Sequence, residues 1–290
     1  MDDDAPSYFV GVDGGGSGCR AVIADAIGHV LGRGDAGPAN ATTDLVLATL
    51  HAADAVYQAV SAAGLERDVL ASTTAHVGLA GIMDLPMARQ VAADLPFRAR
   101  VSDDRRTFVA GALGDTRGVL IGLGTGTIAA RWDGRKARFI GGYGLQVSDQ
   151  ASGAWLGRAA LSETLLAHDG LRPGSELGEQ LMTRMGGDPG GIVAFTARAT
   201  PADYAALAPL VVTAAGAEDD IACDLMRRGA DYIDRAVRAF GIPRGGVLCL
   251  AGGVGPHYAN WLPDDLHAVL APPRGSALDG ALSLAMAQAR

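Results

Sequence analysis

Short apolar runs broken by glycine turns open the chain, and this rhythm predicts strands before it predicts helices. Residues 8–12 (YFVGV) end at Asp13 and three glycines. Residues 20–25 (RAVIAD) form a second run, a turn at Gly28-His29 follows it, and residues 30–34 make a third. Tight turns between β-rich runs predict an antiparallel meander. The period then changes. Val46, Leu50, Ala53, Val56 and Val60 recur at three-to-four spacing, with Thr43 or Asp44 as cap and Gly64 as stop, so a helix is expected over residues 44–63 with those five as its apolar face. Residues 75–81 and 98–102 are further strands, with a helical stretch over 86–95 between them.

The order then begins again. Residues 119–123 (VLIGL) run into Gly124-Thr125-Gly126-Thr127, and residues 129–132 and 139–140 supply two more strands. Helices are expected over 155–167 and 221–240. In the second, Ile221, Leu225, Ile233, Val237 and Phe240 make one face, while Asp231 with Arg235 and Asp234 with Arg238 make i,i+4 pairs. A buried strand at 247–251 ends in Gly252-Gly253, and a helix over 278–289 closes the chain. Two halves that each open with strand, glycine turn and strand imply a duplicated α/β architecture with a cleft between them. A length of 290 residues suits two domains.

Composition narrows the function. Apolar residues make up 49%, charged residues 19%, and the 41 glycines show no three-residue period, which excludes disordered and collagen-like classes. A net charge of −8 argues against broad nucleic-acid or anionic-membrane binding and leaves small charged ligands held locally. Cys19, Cys223 and Cys249 are an odd number at wide spacings, so neither a disulfide framework nor a CxxC site is expected and a reducing cytoplasm is. The first residues, MDDDAPS, lack the basic-then-apolar order of a signal peptide, and no run of about 18 apolar residues is evident.

Three glycine clusters carry the chemistry: Asp13-Gly14-Gly15-Gly16-Ser17-Gly18, Gly124-Thr125-Gly126-Thr127 and Gly252-Gly253-Val254-Gly255. Each follows an apolar strand. Successive amides with no Cβ in the way make a nest for an oxygen-rich anion, although any one cluster alone is equally a hairpin turn. There is no GxxxxGK[ST], Lys136 is the sole lysine, and a strand rather than a helix follows the first turn, so neither a Walker loop nor a dinucleotide fingerprint is present. A bound phosphate must then be neutralised by amides, hydroxyls and a divalent cation. Asp13 is placed to hold Mg²⁺ through water, with a turn-capping carboxylate as the alternative.

These segments, taken in order, resemble one family. VGVDGGGSGCRAVIAD, GPAN (37–40), SDD (102–104), GLGTGT (122–127), GGYG (141–144), SDQASGAWLGR (148–158) and LAGGVG are similar to the BadF/BadG/BcrA/BcrD-type ATPases. Within that group they resemble the N-acetylglucosamine and glucosamine kinases of the actin–Hsp70–sugar kinase superfamily. AHDG (167–170), PADYAALAPLV (201–211) and GSALDGAL (275–282) look most like bacterial glucosamine kinases. The likeness runs from about residue 8 to residue 285.

The resemblance implies two RNase-H-like, actin-like ATPase domains with mixed five-stranded sheets flanked by helices, at residues 1–112 plus about 278–290 and at 113–277. They would close over ATP and a sugar. Asp13, Gly14, Gly15, Gly16 and Ser17 would hold the β- and γ-phosphates with Mg²⁺; Gly124, Thr125, Gly126 and Thr127 would form the second phosphate loop, with both threonines as hydroxyl donors. Gly252 and Gly253 would lie against the adenosine. Phosphoryl transfer needs positioning and charge neutralisation more than covalent help, so such a cradle suffices.

A carboxylate must accept the proton of the attacking hydroxyl. The family pattern sets Asn-Asp about seven residues before a Gly-Ala pair; here Ser102-Asp103-Asp104 precedes Gly111-Ala112, which favours Asp104 with Asp103 as the alternative. On its own the segment reads as a solvated loop with Arg105 and Arg106 rather than a catalytic pair. By the same carry-over, Asn40, Asp104, Gly142, Tyr143, Asp149 and Gly153 would contact the sugar, Tyr143 standing where many relatives have Trp. The expected reaction is ATP-dependent phosphorylation of an amino sugar at its 6-hydroxyl, glucosamine ahead of N-acetylglucosamine. An ATPase that activates a dehydratase-like partner and a catalytically silent sugar sensor are the alternatives. The partners expected are ATP and a small amino sugar, without nucleic acid or membrane, with homodimerisation left open. His51, His76, His168, His257 and His267 show no metal-ligand spacing and are assigned to surface or core, and Trp155 and Trp261 to packing.

Overall fold

Residues 8–289 are described by the computed structural model, and they divide into two units, residues 8–115 with 273–289 and Thr116–Pro272. The first begins with the expected meander, β1 (Tyr8–Gly14), β2 (Cys19–Asp25) and β3 (Val30–Ala36). Helix α1 (Leu45–Ala62) follows, then β4 (Thr73–Leu79), α2 (Leu85–Asp94), β5 (Ala99–Asp103) and α3 (Asp104–Leu113). The sheet order is β3-β2-β1-β4-β5, antiparallel through the meander and parallel from β1 to β4 to β5. Parallel neighbours need crossovers, and α1 and α2 supply them.

α1 covers one face of this sheet, but not with the side expected. Val46 and Leu50 are 71% and 59% exposed, while Ala48, Ala52, Ala55, Val56, Ala59 and Val60 are buried. The cause lies in β3. A Cβ on Gly34 would stand 2.1 Å from the Ala55 carbonyl oxygen, and one on Gly32 2.1 Å from that of Ala59. Helix and strand meet backbone to backbone, so alanines fit the interface and the larger residues turn outward. This helix is long and apolar enough, at a mean hydropathy of 1.2, to cross a membrane by length and composition, although Thr49, His51, Asp54, Gln58 and Ser61 interrupt its apolar run. Here its alanine face packs on the sheet. The opposite face is covered by α3 and the C-terminal helix (Ala277–Met286), where Leu278 and Leu282 bury against Phe9, Val22 and Ala24.

The second unit repeats the pattern. β6 (Gly118–Leu123), β7 (Thr127–Trp132) and β8 (Ala137–Gly141) form an antiparallel meander. Next come α4 (Gly153–His168), α5 (Glu176–Arg184), α6 (Pro189–Thr196), α7 (Pro201–Ala205), α8 (Ala208–Gly216) and α9 (Asp220–Phe240). β9 (Val247–Ala251), parallel to β6, and the short α10 (Asp264–His267) complete it. The five apolar residues predicted to face inward from α9 are all buried. Arg238 pairs with Asp234 at 2.8 Å, whereas Arg235 donates to the Asp231 carbonyl and leaves that carboxylate aside.

This sheet has four strands, β8-β7-β6-β9, and not the five expected. In the place where β5 would have its counterpart, Leu270 makes a single parallel bridge to Leu248. Pro272 and Pro273 follow at once, and two residues without N–H donors cannot extend a ladder.

Candidate active site

In the first unit the site grows from the ends of β1, β4 and β5. The β1–β2 turn is closed by the Gly15 amide, which donates to the Gly18 carbonyl at 2.9 Å. Its glycines divide by role. A Cβ on Gly14 would meet Leu79 at 2.6 Å and Ala39 at 2.9 Å, so packing demands glycine there. A Cβ on Gly15 or Gly16 would meet nothing within 4 Å. Packing does not require glycine at those two positions, and their bareness leaves the main chain open to an incoming anion. Ser17 is exposed at the tip.

Asp13, with a side chain 14% exposed, stands one residue before the end of β1 opposite Arg20, whose Nη2 lies 2.6 Å from Oδ2. Asp103 closes β5 and caps α3, its Oδ1 accepting from the Arg105 amide at 2.9 Å and also from the Arg105 side chain. It therefore occupies the capping place that an Asn fills equally well, and it is already engaged. Asp104 is the first residue of α3. Burial, then the Asp103 carboxylate, then that of Asp13, raise its pKa to about 6. A half-buried carboxylate with two anionic neighbours, placed at a strand end, has the properties of a general base working near neutrality. Asn40 also lies in this unit. Its Oδ1 accepts from the Thr42 amide and hydroxyl, at 3.0 and 2.7 Å, so its amide nitrogen is the end that can donate to a ligand.

Mg²⁺ retains most of its water and takes one or two carboxylates together with substrate phosphates. Asp13 at the rim, with Asp104 close enough to feel its charge, suits that donor set. Among the described residues no cluster of three or more ligating side chains forms an all-protein cage.

In the second unit the loop after β6 is tied to two neighbours. The Gly153 amide, at the start of α4, donates to the Gly124 carbonyl at 2.8 Å, and the Val254 amide donates to that of Leu123 at 3.0 Å. Gly252 has φ +86, and a Cβ there would stand 2.5 Å from the Leu123 carbonyl oxygen, so only glycine lets β9 leave past this loop. Between them lies a cavity of about 380 Å³ whose lining includes Gly124, Thr125, Gly153, Gly253, Ala208 and His257. Gly153, expected against the sugar, thus shares its surroundings with residues expected against the nucleotide.

Thr125 is exposed and available, but Thr127 is buried and its hydroxyl donates to the Gln150 carbonyl at 2.7 Å. That bond holds the loop carrying Asp149. Asp149 and Ala151 both adopt left-handed backbone, at φ +63 and +67, and Asp149 is only 8% exposed with its Oδ1 buried and unpartnered. Left-handed backbone and an unsatisfied buried acceptor thus coincide at one residue. The Asp149 carboxylate lies against Gly126, where a Cβ would come within 2.8 Å of Oδ2. Tyr232 of α9 sits nearby, its phenol pushed up by burial and by Asp149. Gly142, at φ +77, and Tyr143 are exposed on the turn after β8, Tyr143 by 77%.

The site-lining residues that sequence reasoning missed are Arg20, Tyr232 and His257. Cys19, buried behind the first glycine turn with its pKa pushed up to about 12 by burial and then Asp13, is an inert packing thiol.

The model of the BadF/BadG/BcrA/BcrD ATPase family matches residues 10–261. The chain belongs to that family. Within reach of this BadF/BadG/BcrA/BcrD-type ATPase, the glucosamine kinase GspK of Vibrio cholerae is 31% identical over 288 residues, 96% of each chain. A Chromobacterium violaceum crystal structure, that of a candidate N-acetylglucosamine kinase, is 31% identical and superposes with a TM-score of 0.83 over 97% of this chain and 99% of its own. A Porphyromonas gingivalis structure of the same description, at 21% identity and a TM-score of 0.70, covers 97% and 98% and shows the shared fold. The two mixed sheets flanked by helices are those of the actin-like ATPase fold.

Proposed function

We propose that this protein is an ATP-dependent sugar kinase that phosphorylates an amino sugar at its 6-hydroxyl, with glucosamine the preferred acceptor and N-acetylglucosamine the second. The observation that carries the reading is Asp104: a half-buried carboxylate at a strand end, held near a pKa of 6, in the same unit as an aspartate-glycine turn with open space at Gly15 and Gly16. Family membership and the likeness to glucosamine kinase GspK support the substrate class.

In this reading the sugar hydroxyl donates its hydrogen bond to Asp104. As its oxygen bonds to the γ-phosphorus, the bond from that phosphorus to the β–γ bridging oxygen breaks. The hydroxyl proton passes to Asp104, and ADP and a sugar phosphate leave. Amides of the Asp13–Ser17 turn other than that of Gly15, which already donates to Gly18, and the Thr125 hydroxyl offset the charge on the phosphate oxygens in place of lysine. Asp13 would hold Mg²⁺ through water, and the ion, when bound, supplies the rest of that neutralisation. Asp149 presents its unpartnered oxygen to the sugar's hydroxyls or ammonium, and Asn40 its amide.

A coupled ADP-release assay over glucosamine, N-acetylglucosamine, mannosamine and glucose tests the proposal, with the product's phosphorylated carbon identified by ¹H–³¹P NMR. Glucosamine is expected to give the highest kcat/KM and a 6-phosphate. Absence of sugar-stimulated turnover overturns the kinase reading, and phosphate at another carbon overturns the assigned hydroxyl.

A further inference from the structure

His76 was assigned to surface or core in the sequence, and the structure buries it on β4, 5% exposed, with both ring nitrogens engaged. It lies beneath the last turn of the C-terminal helix. That helix can come so close because β1 carries Gly11 alongside, where a Cβ would stand 2.5 Å from the Leu282 amide nitrogen. Gln288, beyond the helix, then reaches His76 with its Nε2 at 3.2 Å from Nδ1. The same nitrogen donates to the Leu284 carbonyl at 3.1 Å, which fixes the end of the amide that faces the ring. Nδ1 must therefore accept, and the ring carries its proton on Nε2.

From there the direction of each bond is determined. His76 Nε2 donates to Ser102 Oγ at 2.9 Å. With its acceptor role filled, the Ser102 hydroxyl donates to the Asp103 carbonyl at 3.1 Å. That carbonyl belongs to the peptide whose nitrogen is Asp104. On the other side, the fully buried Thr107 donates its hydroxyl to the Asp104 carbonyl at 2.8 Å. Both peptide planes flanking Asp104 are held by hydroxyls, and only the Ser102 hydroxyl is itself oriented by a buried ring.

We propose that His76 is a positioning residue for phosphoryl transfer: through Ser102 it fixes the Asp103–Asp104 peptide plane and with it the direction in which the Asp104 carboxylate projects. The inference rests on the reading of Asp104 as the base. Burial, with the Arg106 and Arg100 cations, lowers the His76 pKa to about 3, so the ring stays neutral and the direction of its bonds does not switch in the working range. A general base misplaced by a fraction of an ångström loses rate without losing substrate affinity, because binding is made by other groups.

The test compares His76→Leu, His76→Gln and Ser102→Ala with the intact enzyme. His76→Leu and Ser102→Ala are expected to lower kcat by about 10-fold or more with KM for sugar and ATP within about 2-fold. His76→Gln keeps a donor that can reach Ser102 and is expected to recover most of kcat. A Leu282→Ala variant, whose loss of packing on the same helix destabilises without touching the relay, controls for stability. Unchanged kcat in a folded Ser102→Ala, or an equal loss in Leu282→Ala, overturns the proposal. A second readout is independent of turnover: ¹⁵N chemical shifts of His76 are expected to show the neutral Nε2–H tautomer in the intact protein and to move in Ser102→Ala. An Nδ1–H tautomer, or shifts indifferent to Ser102, overturns the relay even if the kinase reading stands. An intact enzyme without sugar-dependent turnover but with these shifts overturns the kinase reading and leaves the hydrogen-bond order supported.

Discussion

Arg20 stands opposite Asp13 in the β1–β2 ladder and sets its Nη2 2.6 Å from the carboxylate expected to hold the metal through water. Its side chain is 57% exposed, so the pair contributes about 0–1 kcal/mol to folding. Its effect on metal use is expected to be larger, since the guanidinium and a hydrated cation compete for one carboxylate. Arg20→Gln should leave the unfolding midpoint nearly unchanged and lower the Mg²⁺ concentration that half-saturates turnover. A Mg²⁺ titration of initial rate reads this. A raised requirement, with a raised KM for ATP, would assign Arg20 to the phosphates.

The acid limb of the pH profile should belong to Asp104. A base must be ionised to accept a proton, and its pKa is raised to about 6, so kcat/KM is expected to fall as pH drops through that value. After burial, the Asp103 carboxylate contributes most to that elevation. Asp103→Asn keeps a good helix cap, removes the neighbouring charge, and should move the limb to lower pH while sparing most of the rate. Asp104→Asn should lower kcat by about 10²–10⁴-fold with ATP binding retained. If Asp103→Asn is the variant that abolishes turnover, the assignment of the base is reversed.

The strand-turn-strand opening of each half is legible in the chain because strands of five to seven residues with a glycine stop leave few alternatives, and β1, β2, β6 and β7 lie where they are expected. The face of α1 is not legible from its own residues. Periodicity favours Val46 and Leu50, but Gly32 and Gly34 on β3 admit only alanines, and that constraint arises from another element. α3 hides behind Arg105-Arg106, which read as a loop, although Asp103 is a good cap. The helices α5 to α8 are five to nine residues long, too short for a period to register; only the caps of the first three, Ser175, Asp188 before Pro189 and Thr200 before Pro201, announce them, and α8 follows Leu207 without a capping side chain. Tyr232 and His257 reach their sites from far along the chain, so no local spacing could reveal them.

Two glycines near the site should respond oppositely to the same change. Gly111 packs α3 on the C-terminal helix, and a Cβ there would stand 1.8 Å from the Ser276 carbonyl oxygen. Gly111→Ala should therefore cost about 1–3 kcal/mol in urea unfolding, by forcing the helices apart. The Gly-Ala pair after the base is thus explained by packing. Gly15→Ala meets no atom within 4 Å and should leave stability unchanged while raising KM for ATP, because the methyl group intrudes on the space where phosphate approaches the amides. Loss of stability in Gly15→Ala without an effect on ATP would remove that turn from the binding site.

Asp149 sets stability against binding within one residue. Its Oδ1 is buried without a partner, on a backbone at φ +63, and an unsatisfied buried acceptor opposes folding until a ligand satisfies it. Asn tolerates the same backbone and removes the charge while keeping an acceptor. Asp149→Asn is therefore expected to raise the melting temperature of the free protein. The lost hydrogen bond to a charged acceptor, about 1.5–3 kcal/mol, corresponds to roughly 10- to 150-fold in KM for the sugar, with KM for ATP little changed. Thermal melts and sugar titrations on the same preparation separate the two effects. Should Asp149→Asn melt lower than the parent and bind sugar as well, the carboxylate serves the loop and the sugar is held elsewhere.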